Sequence, residues 1–440
     1  MRWGGDGVDA RAAPGSETLT DVDPRDVTAC GAAVPEADRH RKDLVLLSAV
    51  HAVTHIPPTL YPLVLPYVMQ ALGFGYAQVG LFVGAIGIIG GLLQGVQAWL
   101  SRHIRRAALC GGGNVLLGLS LSLSGLAGSF ATLLGFRLIS AVAASPQHPV
   151  GASLITDWYS RGRRGTAFAI HFSGGNVGTV LTPLIAGLLL PRVGWRDTLL
   201  LLGIPGLVVG PLFWILARDA RVPQTASPAA GGVGQAAQQR ASYWAVLRDP
   251  NLLTLFGSRM LTSGGRGLGV LLTYVPLYLV AAVRLPASTV GAYVALLATG
   301  AVASPIVAGR LADWVGRRKP VMLVSLWISA AATVGLVAAG TSRLGIVASL
   351  IVLALAVYNE SSLSQTMLAE LVPDTGRDDA FSLFFVVSFT SGALWALAIG
   401  LIIARWHFPA GFAVMVGSYV AASIVLAFVR ERGTGAAGTA

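Results

Sequence analysis

The chain has 440 residues, of which 54% are hydrophobic and only 12% are charged, and its formal net charge is +11. Soluble globular domains carry about 25% charged residues, so this composition excludes that class and indicates a membrane protein. The two cysteines are too few for a disulfide framework or a cysteine-based metal site.

Apolar runs of about 20 residues, each long enough to cross ~30 Å of hydrocarbon as a helix, recur along most of the chain. Lipid offers the backbone no hydrogen-bond partners, so these runs are predicted to be helices, and the alternating pattern of barrel strands does not occur. The predicted spans, twelve in all, are residues 44–70, 76–100, 107–127, 130–157, 165–190, 195–217, 251–282, 288–312, 319–340, 344–371, 379–405 and 409–429. The fold class predicted is therefore an all-α membrane protein with twelve transmembrane helices.

Both ends of the chain are polar. Residues 1–43 contain no short apolar segment with a small-residue cleavage site, which predicts a disordered tail rather than a cleaved signal peptide, and residues 430–440 form a second tail. Arginine and lysine concentrate in the loops after spans 2, 4, 6 and 8, so the positive-inside rule places these loops and both termini in the cytoplasm. The basic residues thus indicate orientation in a plasma (inner) membrane rather than a nucleic-acid partner.

A long polar interruption divides the spans into two equal sets. Residues 218–250 contain QTASPAAGGVGQAAQQ, which has no apolar helical stripe and is typical of a linker. Six spans precede it, in residues 44–217, and six follow it, in residues 251–429. This arrangement predicts two pseudo-symmetric six-helix bundles, the construction of secondary transporters that bind substrate near the bilayer midplane.

The turn between spans 8 and 9 reads GRLADWVGRRK and concentrates charge between two apolar segments. Its residues fit the loop signature G-x-x-x-D-x-x-G-R-[RK] at Gly309, Asp313, Gly316, Arg317 and Arg318. On these residues the chain resembles the major facilitator superfamily, and the resemblance extends over all twelve spans. It implies transport by alternating access, with these five residues in the conformational gate.

The equivalent turn of the first half, GVQAWLSRHIRR, departs from the signature, because Trp99 replaces the acid and Arg102 replaces the second glycine. The gating acid is therefore present in one copy only. We expect Asp313 to approach the start of span 5, near Gly165 and Thr166, when the cavity is closed on the inside. A carboxylate there is stabilised by unpaired amides and by the positive end of the helix dipole.

A second resemblance narrows the family. Span 4 contains the pair His148-Pro149, a GRRG turn follows, and span 5 opens with GGNVGTVLTPL. In these features the segment resembles the fosmidomycin-resistance group, although His55 stands where that group tends to carry an acid. The resemblance implies proton-driven export of a small organic compound, and it assigns Gly178 and Pro183 to the conformational gate.

Ionisable residues are costly inside a membrane, so each one within a span is a candidate for function. They are His51 and His55 in span 1, Arg137 and His148 in span 4, His171 in span 5, Arg259 and Arg266 in span 7, and Glu360 in span 10. All except His171 lie on spans that the family resemblance identifies as cavity-lining. We predict substrate contacts from His51, His55, Arg137, His148, Arg266 and Asn176, and proton coupling through Glu360 and His55.

Some of these residues also have a structural interpretation. His148 and His171 are alternatively neutral imidazoles, hydrogen-bonded in a helix interface. Arg259 lies near the inner end of span 7, where snorkelling to the interface competes with a ligand role. The sequence shows no further ligands near His51 and His55, so we predict neither a metal site nor a cofactor.

Glu360 and Arg266 both map near mid-membrane, and an unpaired charge at that depth is costly. We therefore predict an ion pair between them, with His55 facing it from the other half. In one interpretation the pair carries the transported proton on Glu360 and the substrate anion on Arg266. In the other it is a static pair that joins spans 7 and 10.

Transport is the function that this pattern favours. A phosphate-binding loop with a Gly-Lys pair is absent, which excludes an ATP-driven pump on this chain, and no hydrolase or zinc-protease motif indicates an enzyme. We predict proton-coupled export of a small organic compound by a monomer in the lipid bilayer. The alternatives are proton-coupled uptake of an organic anion and a non-transporting sensor of the same fold.

Overall fold

The computed structural model describes residues 40–218, 246–266, 269–372 and 377–431, and helices are the main regular structure in these residues. The all-α prediction is confirmed for this part of the chain. The helices are α1 (Arg41–Thr54), α2 (Ile56–Leu72), α3 (Tyr76–His103), α4 (Arg106–Ser124), α5 (Phe130–Ala144), α6 (Gln147–Trp158), α7 (Arg161–Leu216), α8 (Pro250–Thr262), α9 (Leu271–Ala281), α10 (Ala287–Val315), α11 (Lys319–Ala338), α12 (Arg343–Ala356), α13 (Asn359–Leu371) and α14 (Arg377–Ala427). Most of the predicted tails and linker lies outside the described residues.

Eight helical stretches of the described chain are long and apolar enough to cross a membrane, and two of these stretches each join two consecutive helices, α1 with α2 and α12 with α13. Two others, within α7 and α14, contain a break in helical geometry. Gly194 has φ 74° in α7, and His407 has φ 62° in α14. These breaks fall between predicted spans 5 and 6 and between spans 11 and 12, but the number of twelve crossings stays a prediction.

Four predicted spans are each divided into two shorter helices, and they are the four expected to line the cavity. Span 1 becomes α1 and α2, span 4 becomes α5 and α6, span 7 becomes α8 and α9, and span 10 becomes α12 and α13. Pro57 and Pro58 occupy the first turn of α2, as expected for a helix start, since proline lacks the N–H that a helix interior needs. Interrupted helices place backbone polar groups and ionisable side chains deep in the bundle, which is tolerated only around a cavity or a protein interior.

The two halves are closest at the end of the bundle where α2 ends and α3 begins, called here the distal end. A Cβ atom added at Gly80 would lie 2.9 Å from the carbonyl oxygen of Leu397, and one added at Gly187 would lie 3.0 Å from that of Ala287. At the opposite, proximal end, a Cβ added at Gly165 or Gly309 would meet no atom within 4 Å. The halves therefore pack tightly at the distal end, whereas Gly165 and Gly309 at the proximal end are not packed against a neighbour.

Candidate functional site

A cavity of about 390 Å³ lies between the two halves. Helices α2, α3 and α5 line it from the first half, and α8, α9 and α14 line it from the second, together with the segment between α8 and α9. Much of its wall is apolar, with Leu65, Phe82 and Phe384 among the lining residues. The described lining residues include Arg137, Arg259 and Arg266 and no acidic side chain, so the cavity is electropositive.

Two of these arginines have a buried donor without a partner in the described structure. The Nε atoms of Arg137 and Arg266 are both buried and make no hydrogen bond. The guanidinium carbon of Arg137 lies 5.1 Å from the centre of the Tyr61 ring, a cation–π contact that supports the charge without using its N–H donors. A buried donor left unpaired costs about 1–3 kcal/mol, and both of these guanidinium groups also line the cavity.

The third arginine is paired. Arg259 Nη1 lies 2.7 Å from Glu360 Oε2, and its Nε donates to Ser388 Oγ at 3.0 Å. Glu360 is 2% exposed and also accepts a hydrogen bond from Ser364. The prediction that Glu360 pairs with Arg266 is therefore wrong, because the partner of Glu360 is Arg259.

The reason is the break in span 7. Helix α8 ends at Thr262, and the chain turns through residues 263–265 before Arg266. The seven-residue spacing that puts two side chains on one face applies only to a continuous helix. Arg259 consequently faces α13, whereas Arg266 lies beyond the end of α8 and lines the cavity independently.

Four histidines from three helices meet in the first half. His51 Nδ1 lies 3.0 Å from the carbonyl oxygen of His171, and the Nε2 atoms of His51 and His55 are 3.1 Å apart. His55 Nδ1 lies 2.8 Å from Thr179 Oγ1. The ring of His148 approaches that of His51 edge-on, at 5.2 Å between centres.

This arrangement corrects the expectation that His51 and His55 have no further ligands nearby. One possible ligand atom from each of His51, His55 and His148 lies within 4.8 Å of the other two. His148 is 93 positions from His55 in the chain and comes close only because α6 packs beside α1. These three residues form the group that has metal-ligand geometry within the described structure.

Glycines bring α7 against α1 beside the histidines. A Cβ added at Gly175 would lie 2.7 Å from Cε1 of His51, and one added at Gly178 would overlap the carbonyl oxygen of Ala52. Asn176, between them, is half-buried and makes no hydrogen bond to the described histidines. Pro183 lies further along, where its carbonyl oxygen contacts Gly291 of α10, so it belongs to the contact between the halves.

The loop after α10 forms a charged network at the proximal end. Gly316 has φ 71°, a left-handed conformation that suits glycine. Arg318 pairs with Asp313 and lies 3.2 Å from Glu370, while Arg317 lies 3.5 Å from Glu431. Gly309 precedes this network in a part of α10 with open space around it.

Asp313 is 68% exposed and contacts Arg318 rather than the start of α7. Its predicted approach to Gly165 and Thr166 applies to a state closed at this end, and the open space around Gly165 shows that this approach is not made here. The contact therefore stays a prediction for the closed state.

Sequence reasoning did not identify Tyr61 and Thr179 as parts of these sites. Both are common residue types in apolar helices, and Tyr61 belongs to none of the motifs described above. The one available signal for Thr179 was its place in the GGNVGTVLTPL segment, four residues after Gly175 on the same helical face.

Two helical halves around a central charged cavity define the architecture of a secondary transporter. The chain belongs to the Major Facilitator Superfamily, whose family model matches residues 47–317 and 267–439. That match confirms the superfamily resemblance, while the finer resemblance to the fosmidomycin-resistance group stays a prediction.

Most of the relatives and structural neighbours are transporters, and none of those compared is an enzyme. One relative, the membrane sensor protein UhpC of Escherichia coli, is 34% identical over 106 residues, which is 24% of this chain and 23% of its own. A probable hexose phosphate transport protein of Chlamydia muridarum is 27% identical over 161 residues, which is 37% of this chain and 35% of that relative. The match thus spans about a third of that relative's length. A probable sulfoacetate transporter of Cupriavidus necator is 21% identical over 81% of this chain and 79% of its own.

Among solved structures, a bacterial homologue of the human lysosomal transporter Spinster, in an inward-facing and unoccupied conformation, matches with a TM-score of 0.69. It is 18% identical, and the match covers 90% of this chain and 96% of that one. At this identity the match shows the shared fold.

Proposed function

We propose that the chain is a secondary active transporter of small organic anions that works by alternating access in the bacterial inner membrane. The observation that carries this proposal is the cavity with three arginines and no acidic lining residue among those described. Guanidinium groups pair with carboxylate, sulfonate or phosphate oxygens through strong charge-assisted hydrogen bonds. Arg137 and Arg266 line the same cavity from opposite halves, so an anion bound there lies between two guanidinium groups.

The names of the relatives support the same substrate class. A hexose phosphate carries a phosphoryl group, and sulfoacetate carries a sulfonate and a carboxylate. The cavity volume of about 390 Å³ is at the small end of the range for ligand pockets, which suits a molecule of this size. The apolar walls would contact the carbon skeleton while the arginines bind the charged group.

Proton coupling is the second part of the proposal, with Glu360 as the carrier. Its carboxylate is buried and bound to Arg259, which itself lines the cavity. A substrate anion that binds Arg259 would compete with Glu360 and leave its carboxylate free to accept a proton. Protonation removes the cost of an unpaired buried charge, so substrate and proton binding become linked. His55 is the corresponding proton-binding group in the first half.

Binding and transport by the purified protein test the anion proposal. We expect hexose phosphate or sulfoacetate to raise the melting temperature of the parent protein and to exchange in counterflow. Arg266→Gln should weaken anion binding by about 30-fold or more, since loss of one partner in a buried charge pair costs about 2–5 kcal/mol. The exposed Arg343→Gln is the matched control and should bind as the parent does.

Two outcomes would contradict this assignment. In the first, neither hexose phosphate nor sulfoacetate binds to the parent protein. In the second, Arg266→Gln binds the anion as tightly as the parent does. Binding without counterflow would instead favour the non-transporting sensor.

A pH gradient tests the coupling and the direction. In liposomes the parent should accumulate the anion when a gradient is imposed, and Glu360→Gln should retain exchange but lose this response. Accumulation by Glu360→Gln equal to that of the parent would rule out Glu360 as the carrier. Export, as first predicted, and uptake are distinguished by which orientation of the gradient drives accumulation.

The proximal end is proposed to face the cytoplasm, together with both termini and the linker 218–250. Single cysteines introduced there should resist a membrane-impermeant thiol reagent added to intact cells. Efficient labelling of the linker from outside would reverse this topology.

A further inference from the structure

We infer that His51, His55 and His148 form a binding site for one divalent transition-metal ion. Four of the seven histidines of the chain meet in one cluster of the first half, although they come from α1, α6, α7 and the break between α1 and α2. The anion cavity is lined by other residues, so this site is distinct from the one proposed for the substrate.

The spacing of the ring nitrogens fits a metal ion. Zinc binds imidazole nitrogen at about 2.0–2.1 Å, so two ligands of one tetrahedral zinc are about 3.3 Å apart. His51 Nε2 and His55 Nε2 are 3.1 Å apart, and a nitrogen of His148 lies within 4.8 Å of both. A small rotation of His148 would complete a three-imidazole site with one open position.

The hydrogen bond at His51 Nδ1 determines the protonation state of His51 Nε2. His51 Nδ1 lies 3.0 Å from the carbonyl oxygen of His171, and a carbonyl accepts only, so Nδ1 carries the proton and donates it. His51 Nε2 therefore presents a lone pair toward His55 and His148. A ligating histidine whose other nitrogen donates to a carbonyl is the usual arrangement around protein-bound metals.

Thr179 allows His55 the same tautomer as His51, with the proton on Nδ1. Its hydroxyl lies 3.2 Å from the carbonyl oxygen of Gly175 and 2.8 Å from His55 Nδ1. When the hydroxyl donates to the carbonyl, His55 Nδ1 donates to the hydroxyl oxygen, and His55 Nε2 also presents a lone pair. Two lone pairs then face each other at 3.1 Å, an arrangement that a bound cation stabilises.

The surroundings hold His51 in place and leave the third ligand accessible. His51 is 2% exposed, and the ring of His171 stacks on it at 4.3 Å between centres. Gly175 contacts the same ring closely enough that a Cβ would collide with it. His148 is the most accessible of the three ligands. Three neutral nitrogen ligands favour Zn²⁺, Co²⁺, Ni²⁺ or Cu²⁺ over Mg²⁺ or Ca²⁺.

Cobalt and zinc binding to the full-length protein tests this site. The protein is purified with a tag that contains no histidine, and Co²⁺ is added while its visible absorption is recorded, followed by displacement with Zn²⁺. We expect one Co²⁺ per chain with the spectrum of a four-coordinate ion. His148→Ala, at an exposed position, should weaken binding at least about 100-fold, and Thr179→Val about tenfold, as outer partners of metal ligands typically do.

His103→Ala is the matched control, because His103 lies at the end of α3 away from the cluster, and it should bind Co²⁺ as the parent does. His55→Gln provides a second ligand variant, with the same loss expected as for His148→Ala. The proposal is overturned if the parent shows no saturable Co²⁺ binding, if both ligand variants bind like the parent, or if only His103→Ala loses binding. None of these readouts depends on transport, so they test the site separately from the anion proposal.

Discussion

The buried polar groups of the two halves differ in charge: a cluster of histidines lies in the first half and an arginine–glutamate pair in the second. In the first half, the Nε2 atoms of His51 and His55 face each other, and their Nδ1 atoms lie near a backbone carbonyl and Thr179, with no carboxylate among these neighbours. In the second half, Arg259 pairs with Glu360. An imidazole can be buried neutral, whereas the guanidinium of Arg259 remains charged and is paired with a carboxylate. The comparison teaches that similar helix breaks in the two halves can present either neutral or permanently charged groups.

The largest effect is expected from breaking the charged centre. Arg259→Gln leaves Glu360 buried without its partner, which should lower the free energy of unfolding by about 3–5 kcal/mol at neutral pH. Thermal unfolding of the purified protein measures this loss. The double variant Arg259→Gln/Glu360→Gln removes both charges and should recover most of the stability. An Arg259→Gln protein as stable as the parent would show that the pair is not a structural requirement.

A smaller effect is expected from separating α7 from α1 in the neutral half. Gly178→Ala introduces a methyl group that overlaps the backbone of Ala52, and overpacking of this kind costs about 1–3 kcal/mol. Gly165→Ala, on the same helix with no atom within 4 Å, is the control and should stabilise by about 0.5–1 kcal/mol. Equal melting temperatures for the two variants would mean that α7 and α1 are further apart than described.

The neutral centre itself should tolerate substitution better than the charged one. His55→Gln removes the imidazole contacts to His51 and Thr179 but leaves no buried charge, so the expected loss is about 1 kcal/mol. The measurement is the same thermal unfolding used for Arg259→Gln. A loss as large as that of Arg259→Gln would contradict the distinction between the two halves.

The smallest effect on stability is expected in the proximal loop. Asp313 is 68% exposed and pairs with Arg318, so Asp313→Asn should change the unfolding free energy by less than about 1 kcal/mol. Anion affinity should be unchanged while counterflow becomes slower, because the carboxylate is proposed to act only when the proximal end closes. Counterflow at the parent rate would remove Asp313 from the gate.

The breaks in spans 1 and 7 show which features of the site could be predicted from the sequence. Pro57 and Pro58 follow directly on the interruption after His55, where proline fits the first turn of a helix and not its interior. The turn after Thr262 also has a sequence signal, the pair Gly264-Gly265, which the continuous span 7 of the prediction did not take into account. In the structure these glycines pack against Ser418 and Tyr419 of α14. That turn separates Arg259 from Arg266, so the choice of partner for Glu360 could not be obtained from helical spacing.

The sequence by itself determined the membrane class, the approximate helices, the superfamily and the ionisable residues that cluster on spans 1, 4, 7 and 10. These properties depend on hydropathy and short motifs, which act over one helix or one turn. Only the tertiary structure decided that Glu360 binds Arg259 and that His148 joins His51 and His55. Both contacts depend on how helices rotate and pack against partners about 100 residues away, because side-chain distances across an interface are fixed by the packing of both helices.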